Sequence, residues 1–248
     1  ERTHTPLPKD VIFLIDTSGS MSGESIAQAR SGLKRCLNIL NPADRFTIIR
    51  FASDFSWFSP ELRDATPDKL DAAREYIAGL SAGGGTEMQP ALKHALEIPR
   101  AEKRMPMIIF LTDGDVGNVA SLIALLYQKL GDARLFTFGI GSAPNEFLMH
   151  RMAETGRGQS RFIRSHEDIS DVMADFFQTL ENPVLTDISI QWNDDDVHAY
   201  PERCPDVFYG RPLQLVARAP NGFSGQLTIT GTIDEAPVEY VVNLDEQT

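Results

Sequence analysis

A run of five apolar residues, V-I-F-L-I at positions 11–15, stops abruptly at Asp16 and limits what this chain can fold into more than any other feature. A continuous apolar run between polar residues reads as a strand covered on both faces, the usual state in a parallel sheet. A Gly-broken polar loop, T-S-G-S-M-S at 17–22, follows it, and a helix-compatible stretch begins near Glu24. In open α/β sheets the ligand crevice lies beyond the carboxyl ends of such strands. Asp16, Ser18 and Ser20 therefore stand where a site is expected. They offer hard oxygen and neither nitrogen nor sulfur, a donor set that suits Mg2+, Mn2+ or Ca2+ better than zinc or copper.

Other readings of the loop stay open on these residues alone. A serine-hydrolase elbow requires G-x-S-x-G, and Asp16 stands where its first glycine belongs. A strand-end acid can serve as an aspartyl-phosphate nucleophile, although the second acid usual two positions on is Ser18 here. In the plainest reading this is a turn whose Ser and Asp satisfy nearby backbone groups.

Further along, strand and helix alternate. Ile26, Ala29, Leu33, Leu37 and Leu40 recur at helical spacing and predict a helix over 25–40, ended by Asn41-Pro42. Strands are expected at 45–52, 55–58, 107–111, 135–140 and 159–163. Helices are expected at 67–80, 88–96, 119–130, 144–154 and 168–180, the first opened by Thr66-Pro67. This is the doubly wound α/β pattern. Beyond residue 184 the rhythm changes to alternating stretches at 187–192, 207–209, 213–217, 225–233 and 238–244, split by Pro and Gly. They read as a small β-sandwich-like segment, short for a free-standing one and so expected to be incomplete or to lean on other chain.

Charge marks the same division. The net charge is −12, yet residues 183–248 alone hold 11 acids against three arginines and no lysine. That asymmetry argues for domains at 8–181 and 183–248, meeting near Asn182-Pro183. It also argues against nucleic acid as a partner, since phosphate binding needs a basic surface. No apolar run approaches the roughly 18 residues of a transmembrane span. Cys36 falls in a predicted helix and Cys204 in a Pro-rich connection. We expect one buried and one exposed thiol, with a bridge between them left open. The histidines at 4, 94, 150, 166 and 198 are scattered and read as surface or packing residues. A start at Glu1 without a signal-like segment leads us to expect a piece of a longer protein.

Two later loops complete a pattern: G-G-G-T-E at 83–87 ahead of a helix, and a strand I-I-F-L-T-D-G-D at 108–115. With D-x-S-x-S at 16–20, a Thr after a Gly-rich loop and a strand ending in T-D-G, residues 8–181 resemble a von Willebrand factor type A domain. The resemblance implies a Rossmann-like, six-stranded sheet, parallel but for one edge strand, with helices on both faces. It further implies a metal-ion-dependent adhesion site. Ser18 and Ser20 would bind the ion directly, Thr86 would join in the ligand-ready state, and Asp16 and Asp113 would bind directly or through water. Mg2+ is the implied ion, with Mn2+ or Ca2+ possible. The implied function is a non-catalytic, metal-dependent protein-binding (adhesion) module that takes an Asp or Glu of a protein or matrix ligand. Three uncharged hydroxyls beside two acids leave such an ion electron-poor, and an acidic protein repels an acidic partner when metal is absent.

Glu87 and Asp115 flank this set and read as a helix-start charge and a loop cap. Asn193-Asp194-Asp195-Asp196 lacks EF-hand spacing and reads as an acidic surface turn. Within the family, D-V-I-F-L-I-D-T-S-G-S-M-S-G, N-P-A-D-R-F-T-I-I-R-F and the sheet-rich tail after N-P-V-L resemble the inter-alpha-trypsin inhibitor heavy chain group, with bacterial envelope and sortase-target proteins as nearest kin. That likeness implies an extracellular or cell-envelope location; the vault-type domain usual before the A domain and a sortase signal are both missing. Similarity to integrin inserted domains implies that the last helix, 168–180, shifts when Thr86 joins the metal. Two alternatives remain: a structural A domain with an unused metal site, and a magnesium-dependent hydrolase or phosphotransferase with Asp16 as nucleophile. No general base pairs with Asp16 and no lysine lies in the motif loops, which speaks against the enzyme.

Overall fold

A computed structural model of the chain describes residues 8–113, 118–141, 144–163, 167–180, 183–208, 212–220, 224–233 and 236–244. The chain divides into two compact units, Pro6–Gln178 and Thr179–Thr248. The first unit runs β1 (Lys9–Asp16), α1 (Glu24–Ile39), β2 (Arg45–Phe51), β3 (Phe55–Trp57), β4 (Arg63–Asp64), α2 (Pro67–Ala78), α3 (Met88–Glu97) and β5 (Met105–Thr112). It continues with α4 (Val119–Lys129), β6 (Arg134–Gly139), α5 (Glu146–Thr155), β7 (Ser160–Phe162) and α6 (Ile169–Leu180).

The sheet order is β3-β2-β1-β5-β6-β7, with β4 also paired to β2. β1, β2, β5, β6 and β7 are parallel, and β3 and β4 run antiparallel to β2. The expected doubly wound sheet is present, with β4 as a seventh strand beyond the six foreseen. Its two residues are exposed and polar, too few to show a period. β5 starts two residues earlier than Pro106 suggested. A proline lacks the N–H that a central strand donates. Here β6 pairs with β5 only from Met107 onward, so Pro106 has a ladder neighbour on one side alone.

Alternation along the strands sorts the core into two layers. Ile12 and Leu14, Ile49 and Phe51, and Ile108 and Phe110 pack with Met88, Leu92, Leu122, Leu126, Leu148 and Met152, which come from α3, α4 and α5. On the other face, Phe13 meets Phe177 of α6 with ring centroids 6.4 Å apart, and Phe136 and Phe138 abut Phe176 edge-on. Each such fully buried side chain contributes about 1.5–3 kcal/mol. α1 and α6 approach closely because residue 32 is Gly: a side chain there would begin 3.0 Å from Ile169 Cγ1. A charged network ties the sheet's opposite, amino-terminal end of β1. Buried Asp10 accepts from Arg45 Nε (2.9 Å) and Nη2 (2.5 Å) and from the Ala101 N–H (3.2 Å).

The second unit holds β8 (Pro183–Trp192), β9 (His198–Tyr200), β10 (Val207–Phe208), β11 (Val216–Arg218), β12 (Gly225–Ile233) and β13 (Ala236–Leu244). They form an antiparallel sheet β10-β8-β12-β13 and a two-stranded ladder of β9 with β11. The strand expected at 213–217 lies instead at Val216–Arg218, where β9, a three-residue strand without a sequence signal, supplies its partner. Cys204 corrects another expectation. Both cysteines are free and both are buried; Ile188, Val197 and Phe208 are buried in the same unit as Cys204. His4, His166, Asp115, Asn182 and Tyr209 lie outside the described residues. Among the described residues no helix is long and apolar enough to cross a membrane.

Candidate metal centre

Strand order turns at β1 and β5. β2 lies on one side of this pair and β6 on the other, and the crevice of a doubly wound sheet opens at such a point. Ile15 is in register with Leu111, so Asp16 and Thr112 end the two strands side by side. Asp16 is fully buried. Its Oδ2 accepts from the Thr112 hydroxyl (2.7 Å) and its Oδ1 from the Ser18 N–H (2.8 Å). The second bond closes an Asx-type turn, which swings the chain out of the strand. Ser18 Oγ, fully buried, lies 2.9 Å from Ser20 Oγ, whose residue is exposed. This hydroxyl pair leads from the interior to the surface, and buried Met21 pins the far end of the loop.

Backbone bonds dock the glycine loop onto the serine loop. The Gly83 N–H donates to Thr17 O (2.9 Å), and the Gly19 N–H donates to Gly84 O (3.0 Å). Gly84 has φ +82°, and a Cβ there would lie 2.8 Å from Ser53 Oγ, so only glycine fits. Ser53 Oγ accepts the Gly85 N–H (2.7 Å), and Ala52 O accepts the Glu87 N–H (2.6 Å). Thr86 is thus clamped between two anchors on the end of β2. It is partly buried, and its hydroxyl takes no protein partner among the described residues.

Asp113 follows β5, where the Ile140 N–H holds Thr112 O at 3.0 Å. Its Oδ1 is buried without a hydrogen bond. Burial pushes the Asp16 carboxyl above its ordinary range; the Thr112 and Ser18 donors oppose the rise, and the negative charge of Asp113 adds to it. An unsatisfied buried oxygen and two acids that repel each other both gain from a cation placed between them. Among the described residues no three His, Cys, Asp or Glu side chains converge, so the donors available here are carboxylates and hydroxyls. That set fits a hard, oxygen-seeking ion and does not fit zinc.

The five residues singled out in the sequence therefore fall on three adjoining loops. Asp16, Ser18 and Ser20 are linked by contact, Asp113 acts on Asp16 through its charge, and Thr86 rides on the docked glycine loop. Glu87 is exposed at the N-cap of α3 and makes no side-chain cap. Asn193–Asp196 is a surface turn, closed by the Asp196 N–H on Asp194 Oδ1 (2.9 Å). Two contributors escaped the sequence reading. Thr112 orients Asp16, and Ser53 clamps the glycine loop. Nothing local in the sequence marks Ser53, whose partner Gly85 lies 32 residues further on.

A family model described as the von Willebrand factor type A domain matches residues 9–162. The chain belongs to the von Willebrand factor type A domain family. It is 34% identical over 201 residues to inter-alpha-trypsin inhibitor heavy chain H4 of Homo sapiens, covering 76% of this chain and 22% of that protein. A von Willebrand factor A domain-containing protein of Dictyostelium discoideum is 26% identical over 229 residues, covering 91% of this chain and 25% of its own length. This type A chain thus spans about a quarter or less of the relatives it matches. Among solved structures, a von Willebrand factor type A protein from Catenulispora acidiphila superposes with a TM-score of 0.73 at 17% identity. The match covers 97% of this chain and 67% of that one, a likeness of fold.

Proposed function

We propose that the first unit is a divalent-metal-dependent protein-binding module without catalysis. In this reading Ser18, Ser20 and Thr86 hold Mg2+, or Mn2+ or Ca2+, through hydroxyl oxygens, and Asp16 and Asp113 hold it directly or through water. When bound, the ion supplies positive charge and an exchangeable position at which an Asp or Glu of a protein or matrix ligand replaces water. The observation that carries the reading is the buried, unpartnered Asp113 Oδ1 beside the fully buried Asp16. The chain's own residues do the rest. Thr112 and the Ser18 N–H fix the rotamer of Asp16, and Ser53 and Ala52 fix the approach of Thr86. Both oxygens of Asp16 are engaged and the residue is sealed from solvent, which favours a structural ligand over a nucleophile. An extracellular or cell-envelope location belongs to the same proposal, through the likeness to inter-alpha-trypsin inhibitor heavy chains.

A thermal-denaturation series in Mg2+, Mn2+, Ca2+ and EDTA tests it. A ligand at 100 times its Kd stabilises by about 2.7 kcal/mol. We expect a concentration-dependent rise in Tm for the wild type and none for Asp16→Ala. A Tm indifferent to every ion would overturn the proposal. Metal stabilisation without binding to any acidic ligand would leave a structural A domain.

A further inference from the structure

The sheet edges of this chain are short, with one exception. β3, β4 and β7 bound the first sheet with three residues or fewer, and β10 bounds the second with two. β13, at the other end of the second sheet, runs for nine residues, about 30 Å of strand. It pairs with β12 from Ala236 to Leu244 without a bulge, and among the described residues no strand lies on its outer side. An edge strand leaves roughly half of its backbone N–H and C=O groups turned away from its neighbour. Proteins protect such edges with short strands, bulges, prolines or lysines. β13 has Pro237 near its start and no lysine, and from Val238 to Leu244 its one charge is Glu239. Tyr240, Val241 and Val242 are 49%, 50% and 37% exposed. Neighbours on a strand point to opposite faces, so apolar surface is open on both sides of this edge.

Charge decides what such an edge accepts. The stretch D-E-A-P-V-E-Y-V-V-N-L-D-E at 234–246 holds five acids and no base. A second copy laid in register beside β13, parallel or antiparallel, brings acid to acid at both ends, and like charges set opposite each other destabilise a strand pair. We propose that β13 is a docking edge for an extended segment of another protein, apolar and β-branched at its centre and carrying Lys or Arg at both ends. The segment adds to the sheet as a further strand. Main-chain hydrogen bonds supply affinity, apolar neighbours cover Tyr240, Val241 and Val242, and the basic ends meet the acids. This edge uses neither the metal nor the loops that hold it, so it stands apart from the metal-dependent reading.

Hydrogen exchange of the full chain with the peptide KKTVTVTVTKK, in EDTA at low salt, tests the edge. At saturating peptide the amides of β13 should exchange about tenfold more slowly, with those of β1 and β5 unchanged. The peptide EETVTVTVTEE should bind several-fold more weakly, and salt should narrow the difference. Glu239→Lys combined with Asp245→Lys should remove most of that preference. No slowing in β13 with KKTVTVTVTKK, equal binding of the two peptides, or a preference unaltered in the double variant would each overturn the proposal. Slow β13 exchange without peptide, together with a dimeric mass in sedimentation, would overturn it in favour of a second copy on this edge.

Discussion

Asp16 is a carboxylate buried at the end of a central strand, with a second acid acting on it and its pKa raised. The native, metal-free protein therefore holds a proton on it more tightly than the unfolded chain does. The resulting stability is fully present below the ordinary value of 3.8 and is lost as pH rises through the raised native value. Asp16→Asn has no charge to bury. In EDTA at neutral pH it should melt at or above the wild-type temperature, and the gap should close as pH falls through the raised native value, where wild-type Asp16 takes up its proton. Tm measured across pH checks this; a variant less stable than wild type at neutral pH in EDTA would contradict it. Metal affinity moves the opposite way, weakening in acid as the ligands protonate.

The clamps on the loops make separate predictions for separate elements. Ser53→Ala deletes the acceptor of the Gly85 N–H, a group near solvent that water can satisfy. Stability should fall by no more than about 1 kcal/mol, while the Mg2+ midpoint in a thermal titration weakens several-fold because Thr86 loses one anchor. Asp10→Ala acts at the other end of the sheet. It strands Arg45 and the Ala101 N–H and should cost about 1–3 kcal/mol in denaturant unfolding, below the cost of a fully buried pair because Arg45 is 25% exposed. The Mg2+ midpoint of that variant should not change. For α6, the resemblance to integrin inserted domains predicts a shift on ligand binding. Hydrogen exchange over Ile169–Leu180 should then differ with metal and an acidic ligand present; identical rates would remove the idea. The packing of Ile169, Met173, Phe176 and Phe177 in the core sets what such a shift must overcome.

Over the whole molecule, the two units differ in how deeply they are buried. β1 and β5 are buried at every position, whereas β13 exposes Tyr240, Val241 and Val242. Amides of β12 and β13 should exchange well ahead of those in β1 and β5, since exchange follows local burial. The same contrast explains what could be read beforehand. Residues 11–15 and 107–111 are apolar without a break because both faces are covered, and the nine-residue β12 and β13 alternate long enough to show a period. β4 and β9 have two and three residues and no period at all. Asp16, Ser18, Ser20, Thr86 and Asp113 were legible as a recurring motif, each local to its own loop. Ser53 was not: its role exists only because Gly85, 32 residues later, folds back onto it. The burial of Cys204 was likewise not marked by the Pro-rich residues around it.

The central claim is that these three loops share one hard cation, and anomalous diffraction from crystals grown in Mn2+ locates that ion directly. The account predicts one strong anomalous peak beside Ser18 Oγ and Ser20 Oγ, at about 2.0–2.4 Å, with a carboxylate of Asp16 or Asp113 next to it. A map with no peak there, or with the ion held elsewhere on the molecule, would contradict it.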